Sequence, residues 1–98
     1  MNQSLKIQVS GRVQGVLFRD FAKRQARSLG LVGFVMNKND GSVEIVVKGE
    51  EEKINHLIKK VKIGSVFSKV TNVVAEPYIS NEEFKNFDIR YSSFWDRI

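Results

Sequence analysis

The residues best suited to chemistry lie in one short segment, GRVQGVLFR at positions 11–19. Its glycines, Gly11 and Gly15, frame a turn that leads into a predicted helix. Backbone N–H groups in such a turn can converge on an anion, and the helix N-terminus adds partial positive charge. Arg19 supplies a planar, permanently charged fork that matches two phosphate oxygens. Glycines before a helix are common and most helical arginines are solvated, so residue types alone leave both a phosphate loop and an ordinary turn open.

Other constellations that carry chemistry are missing from the sequence. No Gly-Lys-Ser/Thr follows the loop and the GxGxxG spacing is absent, which excludes Walker-type and dinucleotide-binding loops. The chain has no cysteine and no Ser-His-Asp grouping, so a covalent route has no obvious nucleophile. The single histidine, His56, is predicted on the outer side of a helix, and Glu50–Glu52 suit the start of that helix. Because no acidic or histidine cluster has metal-ligand spacing, we expect neither a metal nor a cofactor.

Composition narrows the class of partner. The 98 residues suit one domain spanning 1–98, and the net charge of +5 with a pI near 9.7 favours an anionic partner. Nucleic acid, an acidic membrane surface and a small phosphorylated substrate all satisfy that charge, although the positive residues are dispersed rather than clustered. No apolar run is long enough to cross a bilayer, and the N-terminus alternates apolar and polar residues instead of forming a secretory signal. With no cysteine, the chain fits a reducing compartment, and we expect a cytoplasmic protein.

Hydrophobic periodicity predicts seven elements. Alternation of Leu5, Ile7 and Val9 is typical of a strand, and the Asp40-Gly41 pair indicates a hairpin. The predicted order is a strand at 4–12, a helix at 20–29, strands at 31–37 and 42–48, a helix from Glu50 to Gly64, and strands at 69–77 and 86–91. This βαββαβ order with a final strand predicts an α+β, ferredoxin-like split βαβ sandwich with two helices on one face of a mainly antiparallel sheet.

That topology predicts where chemistry should occur. In a split βαβ unit the first two strands run parallel, and the third lies antiparallel between them. Their C-terminal ends therefore share one edge of the sheet. We expect the loop at 11–18 and residues 35–38 to be neighbours at that edge, and the site to lie there.

Two segments closely resemble the signatures of the acylphosphatase family. GRVQGVLFR matches the first signature, and GFVMN at 33–37, followed by DGSV at 40–43 and by Gly49, matches the second. The resemblance covers essentially the whole chain. It implies hydrolysis of acyl phosphates to a carboxylate and inorganic phosphate by a monomer that binds a small-molecule substrate, and neither nucleic acid nor membrane. Leu17 occupies a position that is often glycine or aromatic in the family, and we expect it to tune activity because this residue contributes mainly its backbone.

The same resemblance implies roles for individual residues. Arg19 matches the arginine that binds the phosphoryl group, and Asn37 matches the asparagine that positions the attacking water. The Asn37 amide has no accessible pKa, so it can orient a water but cannot act as a general base. The phosphate cradle is the backbone of Val13, Gln14, Gly15, Val16, Leu17 and Phe18. An acyl phosphate has a good leaving group, and we expect the water's proton to pass to the substrate's own oxygen.

Two other functions share this pattern of elements. An RNA-recognition motif has the same βαββαβ order, but it carries stacking aromatics on its central strand, and SVEIVVK at 42–48 has none. A non-enzymatic ferredoxin-like domain that binds a small anion or a protein is the second alternative. Phe18, Phe21 and Phe34 are expected in core packing rather than in a substrate pocket. For Phe94 and Trp95, both capping of the core and exposure on the surface remain open.

Overall fold

The computed structural model of the protein describes residues 2–91 and contains all seven predicted elements in the predicted order. Boundaries move by only a few residues, and the first helix begins at Phe18 instead of residue 20. Phe94 and Trp95 lie outside the described residues. The elements are β1 (Asn2–Arg12), α1 (Phe18–Ser28), β2 (Val32–Asn37), β3 (Val43–Glu50), α2 (Glu51–Ile63), β4 (Lys69–Pro77) and β5 (Phe87–Arg90).

The strands form one five-stranded sheet in the order β4-β1-β3-β2-β5. β3 lies between β1 and β2 and is antiparallel to both, so β1 and β2 run parallel to each other. β4 pairs antiparallel with the other edge of β1, whereas β5 pairs parallel with β2. The ferredoxin-like prediction is confirmed, and the C-terminal ends of β1 and β2 lie at the same edge of the sheet.

The main core fills the space between the sheet and the two helices. Alternation on β1 points Ile7 and Val9 toward this layer, and they are fully buried against the corresponding residues of β3. Ala22 and Ala26 are the buried residues of α1 beyond its first turn, and their small side chains let the helix approach the sheet closely. Burial of each valine or isoleucine here contributes about 1.5–3 kcal/mol. The buried residues of α2 recur at helical spacing and complete this layer; they are Ile54, Leu57 and Val61.

The aromatic residues divide between the two faces of the sheet. Phe18 is buried in the main core and Phe21 packs against it, with ring centroids 5.7 Å apart, which confirms core packing for both, although Phe18 also lines a cleft beside the loop between β1 and α1. Phe34 is only 5% exposed, but it lies on the opposite face and is not part of that core. There it stacks against Phe84, at 5.9 Å between centroids, and under the guanidinium of Arg90, at 3.9 Å from Cζ to the ring centroid. Phe34 is buried, as predicted, but on the face of the sheet opposite the helices, where residues 78–86 cover it.

Candidate active site

The loop between β1 and α1 is held at both ends by buried side chains. Val13 and Phe18 are each 1% exposed and belong to the main core. Between them the backbone turns through two left-handed residues, Gly15 at φ 71° and Leu17 at φ 63°. Glycine adopts this conformation freely, whereas an L-residue with a side chain is strained by about 1–2 kcal/mol. The Leu17 side chain is 71% exposed, so the position contributes backbone geometry rather than packing.

Backbone donors are concentrated in this loop. Within residues 2–91, no turn or loop hydrogen bond between backbone groups uses an N–H of residues 13–18. Leu17 is the N-cap of α1 and makes no side-chain capping bond, so the first-turn N–H groups of the helix lack that partner as well. A run of N–H groups without backbone acceptors among the described residues, ending at a helix N-terminus, suits an anion with several oxygens.

Arg19 lies beside these donors in the wall of a cleft of about 240 Å³. Its guanidinium carbon is 5.3 Å from the centroid of the Tyr91 ring. The neighbouring Asp20 forms an ion pair along the helix with Arg24, at 3.0 Å between Oδ2 and Nε. The carboxylate therefore serves the first turn of α1 and its helix pair. The cleft is lined by Val13, Gly15, Leu17, Phe18, Arg19, Asp20, Ile89 and Tyr91.

Asn37 is the last residue of β2, where it pairs with Val43 of β3. Its side chain is on the helix face of the sheet, in register with Val35, and the residue is only 9% exposed. Among the described residues, Asn37 is not part of the cleft wall that contains Arg19. It lies at the end of β2, and its chain neighbour Lys38 accepts a hydrogen bond from the 13–18 loop.

A side-chain contact fixes this proximity. Gln14 donates from Nε2 to the carbonyl oxygen of Lys38 at 2.7 Å and to that of Ser42 at 2.8 Å. Lys38 directly follows Asn37, so the loop is bonded to the residue next to it. The predicted juxtaposition of the 11–18 loop with residues 35–38 is confirmed. The sequence assigned only the Gln14 backbone to the site, because nothing in a single glutamine beside a glycine signals a contact 24 residues away.

The hairpin turn that receives these bonds is itself rigidly closed. Lys38 N–H donates to the Ser42 carbonyl at 2.9 Å, and Gly41 N–H donates to the Lys38 carbonyl at 3.2 Å. Asp40 Oδ1 accepts from the Ser42 hydroxyl at 2.6 Å and from the Ser42 N–H at 2.9 Å. These bonds, the hydroxyl first, hold the pKa of the Asp40 carboxyl below its usual range. The Asp40 carboxylate therefore caps the hairpin turn as an anion. Because its Oδ1 already accepts two hydrogen bonds from Ser42, we do not assign it as the acceptor of a water's proton.

The strand β5 also contributes to the cleft lining, although the sequence analysis assigned this strand no role in the site. Ile89 pairs with Val35 on the parallel neighbour strand, and Tyr91 follows the last residue of β5 at the same end of the sheet as Asn37. Tyr91 is 41% exposed and lies under the Arg19 guanidinium. In the sequence, only the strand alternation of residues 87–91 gave information about Tyr91. That pattern predicts which face of the sheet its side chain occupies, but not that Arg19 is its neighbour.

In the part of the chain that the structure describes, no three His, Cys, Asp or Glu side chains are grouped as metal ligands. His56 is exposed on α2, as predicted. None of the helices between residues 2 and 91 has the length and apolar character needed to span a bilayer.

Comparison with known proteins agrees with the observed fold. The acylphosphatase family model matches residues 5–89. A protein named Acylphosphatase from Caldivirga maquilingensis is 49% identical over 88 residues, which cover 89% of this chain and 93% of that protein. Acylphosphatase-2 of Homo sapiens is 42% identical over 92 residues, covering 91% of this chain and 93% of its own length. The crystal structure of acylphosphatase from Bacillus subtilis superposes with a TM-score of 0.86 at 42% identity, over 93% of this chain and 100% of that one. On this similarity, over nearly its full length, the chain belongs to the acylphosphatase family.

Proposed function

We propose that this hydrolase cleaves the carboxyl–phosphate bond of acyl phosphates, with the phosphoryl group held by the 13–18 backbone and Arg19 and the water oriented by Asn37. The observation that carries the proposal is the convergence of these three features at one edge of the sheet. Six backbone donors without backbone acceptors adjoin a guanidinium on one side, and the Gln14 bonds keep Asn37 close on the other. Family membership supports the reaction, and the geometry supports the roles.

Phosphate binding follows from charge and donor direction. The phosphoryl oxygens carry negative charge that the helix N-terminus and Arg19 stabilise, and the fork of Arg19 meets two oxygens at once. Charge redistributes over those oxygens in the transition state, so preorganised donors lower the barrier without reorganising. The left-handed turns at Gly15 and Leu17 keep the loop in the shape that presents its N–H groups.

The hydrolytic step requires one water and no protein proton acceptor. The Asn37 amide holds the water so that its oxygen attacks phosphorus in line with the leaving carboxylate. The new P–O bond forms as the P–O bond to the acyl group breaks, and the acyl oxygen leaves as a carboxylate with the bonding electron pair. The water's proton passes to a phosphoryl oxygen, which gives inorganic phosphate. Asp20 is paired with Arg24 and Asp40 with Ser42, so neither carboxylate enters this step.

Benzoyl phosphate hydrolysis in the presence of EDTA tests the reaction directly. The loss of substrate absorbance is followed for the wild type, Arg19→Ala and Asn37→Ala, and inorganic phosphate affinity is measured separately as a competitive inhibition constant. Arg19→Ala is expected to impair both turnover and phosphate affinity. Asn37→Ala is expected to lower kcat at least about 100-fold while the phosphate inhibition constant changes little, because an interaction made only in the transition state affects kcat.

Matched variants separate these roles from general damage. Arg24→Ala removes an arginine of the same helix that does not line the cleft, and Asn55→Ala removes an exposed asparagine of α2. Both should keep kcat within about twofold of the wild type. Near-normal turnover by Arg19→Ala or Asn37→Ala would refute the corresponding role. Phosphate binding by a folded wild type without turnover would refute the hydrolytic function and favour the non-enzymatic anion-binding alternative.

A further inference from the structure

The Gln14 side chain joins the middle of the phosphate-binding loop to the β2–β3 hairpin through two hydrogen bonds. Its single amide nitrogen donates to the carbonyl oxygens of Lys38 and Ser42, at 2.7 and 2.8 Å. Both acceptors belong to the residues whose own backbone bond closes the hairpin turn. These two bonds, which we call the Gln14 clamp, satisfy both hydrogens of the amide group.

The clamp connects two parts of the proposed site that belong to different elements, the loop and the β2–β3 hairpin. Val13 and Phe18 fix the ends of the loop to the core, but Gly15 and Leu17 between them have exposed positions. Asn37 is fixed instead by the β2–β3 ladder, in which it pairs with Val43. The clamp bonds the loop to the residues immediately following Asn37 and preceding Val43, so it sets the distance between the two parts.

We infer that Gln14 is a positioning residue, which holds the phosphate-binding loop in register with Asn37 so that the oriented water lies in line with phosphorus. This inference rests on the proposed function. The phosphate still meets the loop N–H groups and Arg19 when the clamp is absent, since those donors belong to the loop and helix themselves. The loop and its bound phosphoryl group then shift relative to the water held by Asn37.

The consequence is a loss in kcat with little loss in phosphate affinity. Misplacement of reacting groups by about 1 Å costs on the order of 100-fold in rate. Gln14→Met keeps the length of the side chain and removes both donors, so we expect kcat to fall about 10- to 100-fold. The inhibition constant for inorganic phosphate should stay within about threefold of the wild type, because uniform binding is largely retained.

A double-mutant cycle distinguishes positioning from general stabilisation. If Gln14 acts through Asn37, then Gln14→Met added to Asn37→Ala should lower kcat by less than about threefold further. The matched control is Gln8→Met, because Gln8 also donates to Ser42, to its hydroxyl at 3.4 Å, but does not touch the loop. That variant should keep kcat within about twofold. Gln14→Leu, which is uncharged and also lacks the amide donors, is the second variant if Gln14→Met does not fold.

Three results would overturn the inference. They are a kcat of the Gln14 variant within about twofold of the wild type, an equal loss in the Gln8→Met control, and a fully multiplicative loss in the double variant. Hydrogen exchange of side-chain amides, measured by NMR, tests the Gln14 clamp independently of activity. The Gln14 amide should exchange more slowly than that of exposed Asn55, and equal rates would contradict the clamp. A protected Gln14 amide in a wild type that does not hydrolyse benzoyl phosphate would refute the proposed function while leaving the clamp intact, and would limit its role to shaping the loop.

Discussion

Arg27 joins the C-terminal end of α1 to the edge strand β5, and its replacement tests how that strand is held in place. Its Nε donates to the backbone carbonyl of Phe87 at 2.8 Å, and its NH2 group pairs with Asp88 Oδ1 at 2.9 Å. Phe87 is fully buried in the main core, and β5 goes on to supply Ile89 and Tyr91 to the cleft. Arg27→Ala therefore removes one bond to a backbone group and one exposed ion pair.

The two bonds differ in their expected contribution. A hydrogen bond from a charged donor contributes about 1.5–3 kcal/mol, with the lower end fitting a partly buried arginine. The ion pair has side chains 50% and 64% exposed, so solvent screening leaves it at about 0.2–1 kcal/mol. We expect Arg27→Ala to lower the free energy of unfolding by about 2 kcal/mol. At about 4–8 °C per kcal/mol for a domain of this size, the melting temperature falls by roughly 8–16 °C.

Arg24→Ala is the matched control, because Arg24 lies on the same helix and makes only the exposed i,i+4 pair with Asp20. That pair contributes about 0.3–0.5 kcal/mol, which predicts a loss of only about 1–4 °C. Thermal unfolding of both variants by circular dichroism, at low salt and in 1 M NaCl, makes the comparison. The Arg27 deficit should persist in high salt because the backbone bond is screened less than the ion pair. Equal losses for the two variants would refute the assignment of a strong bond between Arg27 and Phe87.

Two further predictions concern the loop and the hairpin turn. Leu17→Gly should be more stable than Leu17→Ala by roughly 1 kcal/mol, because only glycine relieves the strain of the left-handed backbone at φ 63°. Both variants should keep turnover. The reverse order of stability in urea denaturation would contradict that backbone conformation. The pKa of Asp40 is lowered from its ordinary value of 3.8 by its bonds to Ser42, so its contribution to stability is present above that value and is lost as the pH falls through the lower folded pKa. Asp40→Asn should therefore show a shallower decline in stability below about pH 4 than the wild type, and identical acid unfolding curves would show that the cap contributes nothing.

Local pattern was enough to predict the elements and the edge at which the site lies. The alternation of Leu5, Ile7 and Val9 and the helical spacing of Ile54, Leu57 and Val61 are repeated, near-neighbour signals that specify which face is buried. Once the order βαββαβ is read, the parallel relation of the first two strands follows from the split βαβ connection. The proximity of the loop to residues 35–38 was predictable for that reason alone.

The alternation of apolar residues did not predict which side of a strand faces the main core where both faces of the strand are covered. In β2, Val35 points to the helix side and Phe34 to the opposite side, and both are apolar. A period of two cannot then tell which residue belongs to the main core. The answer depends on residues 78–86. Phe84, far from Phe34 in the chain, stacks against its ring, and Glu82 pairs with Arg90, whose guanidinium lies over the same ring. The sequence of residues 78–86 resembles a polar connection between strands, and nothing in it indicated that this segment covers the second face of the sheet.

The sequence was sufficient to predict three features of the site: a glycine-containing loop before a helix, Arg19 at the helix start, and Asn37 at the end of a strand that shares an edge with that loop. Those features depend on residue type and local order, which a single chain displays directly. Tertiary structure alone decided which side chains hold these parts together, namely the Gln14 bonds to the hairpin and the Tyr91 ring beneath Arg19. Such contacts join residues far apart in the chain, and their bonds depend on distances of a few tenths of an ångström that no spacing pattern encodes.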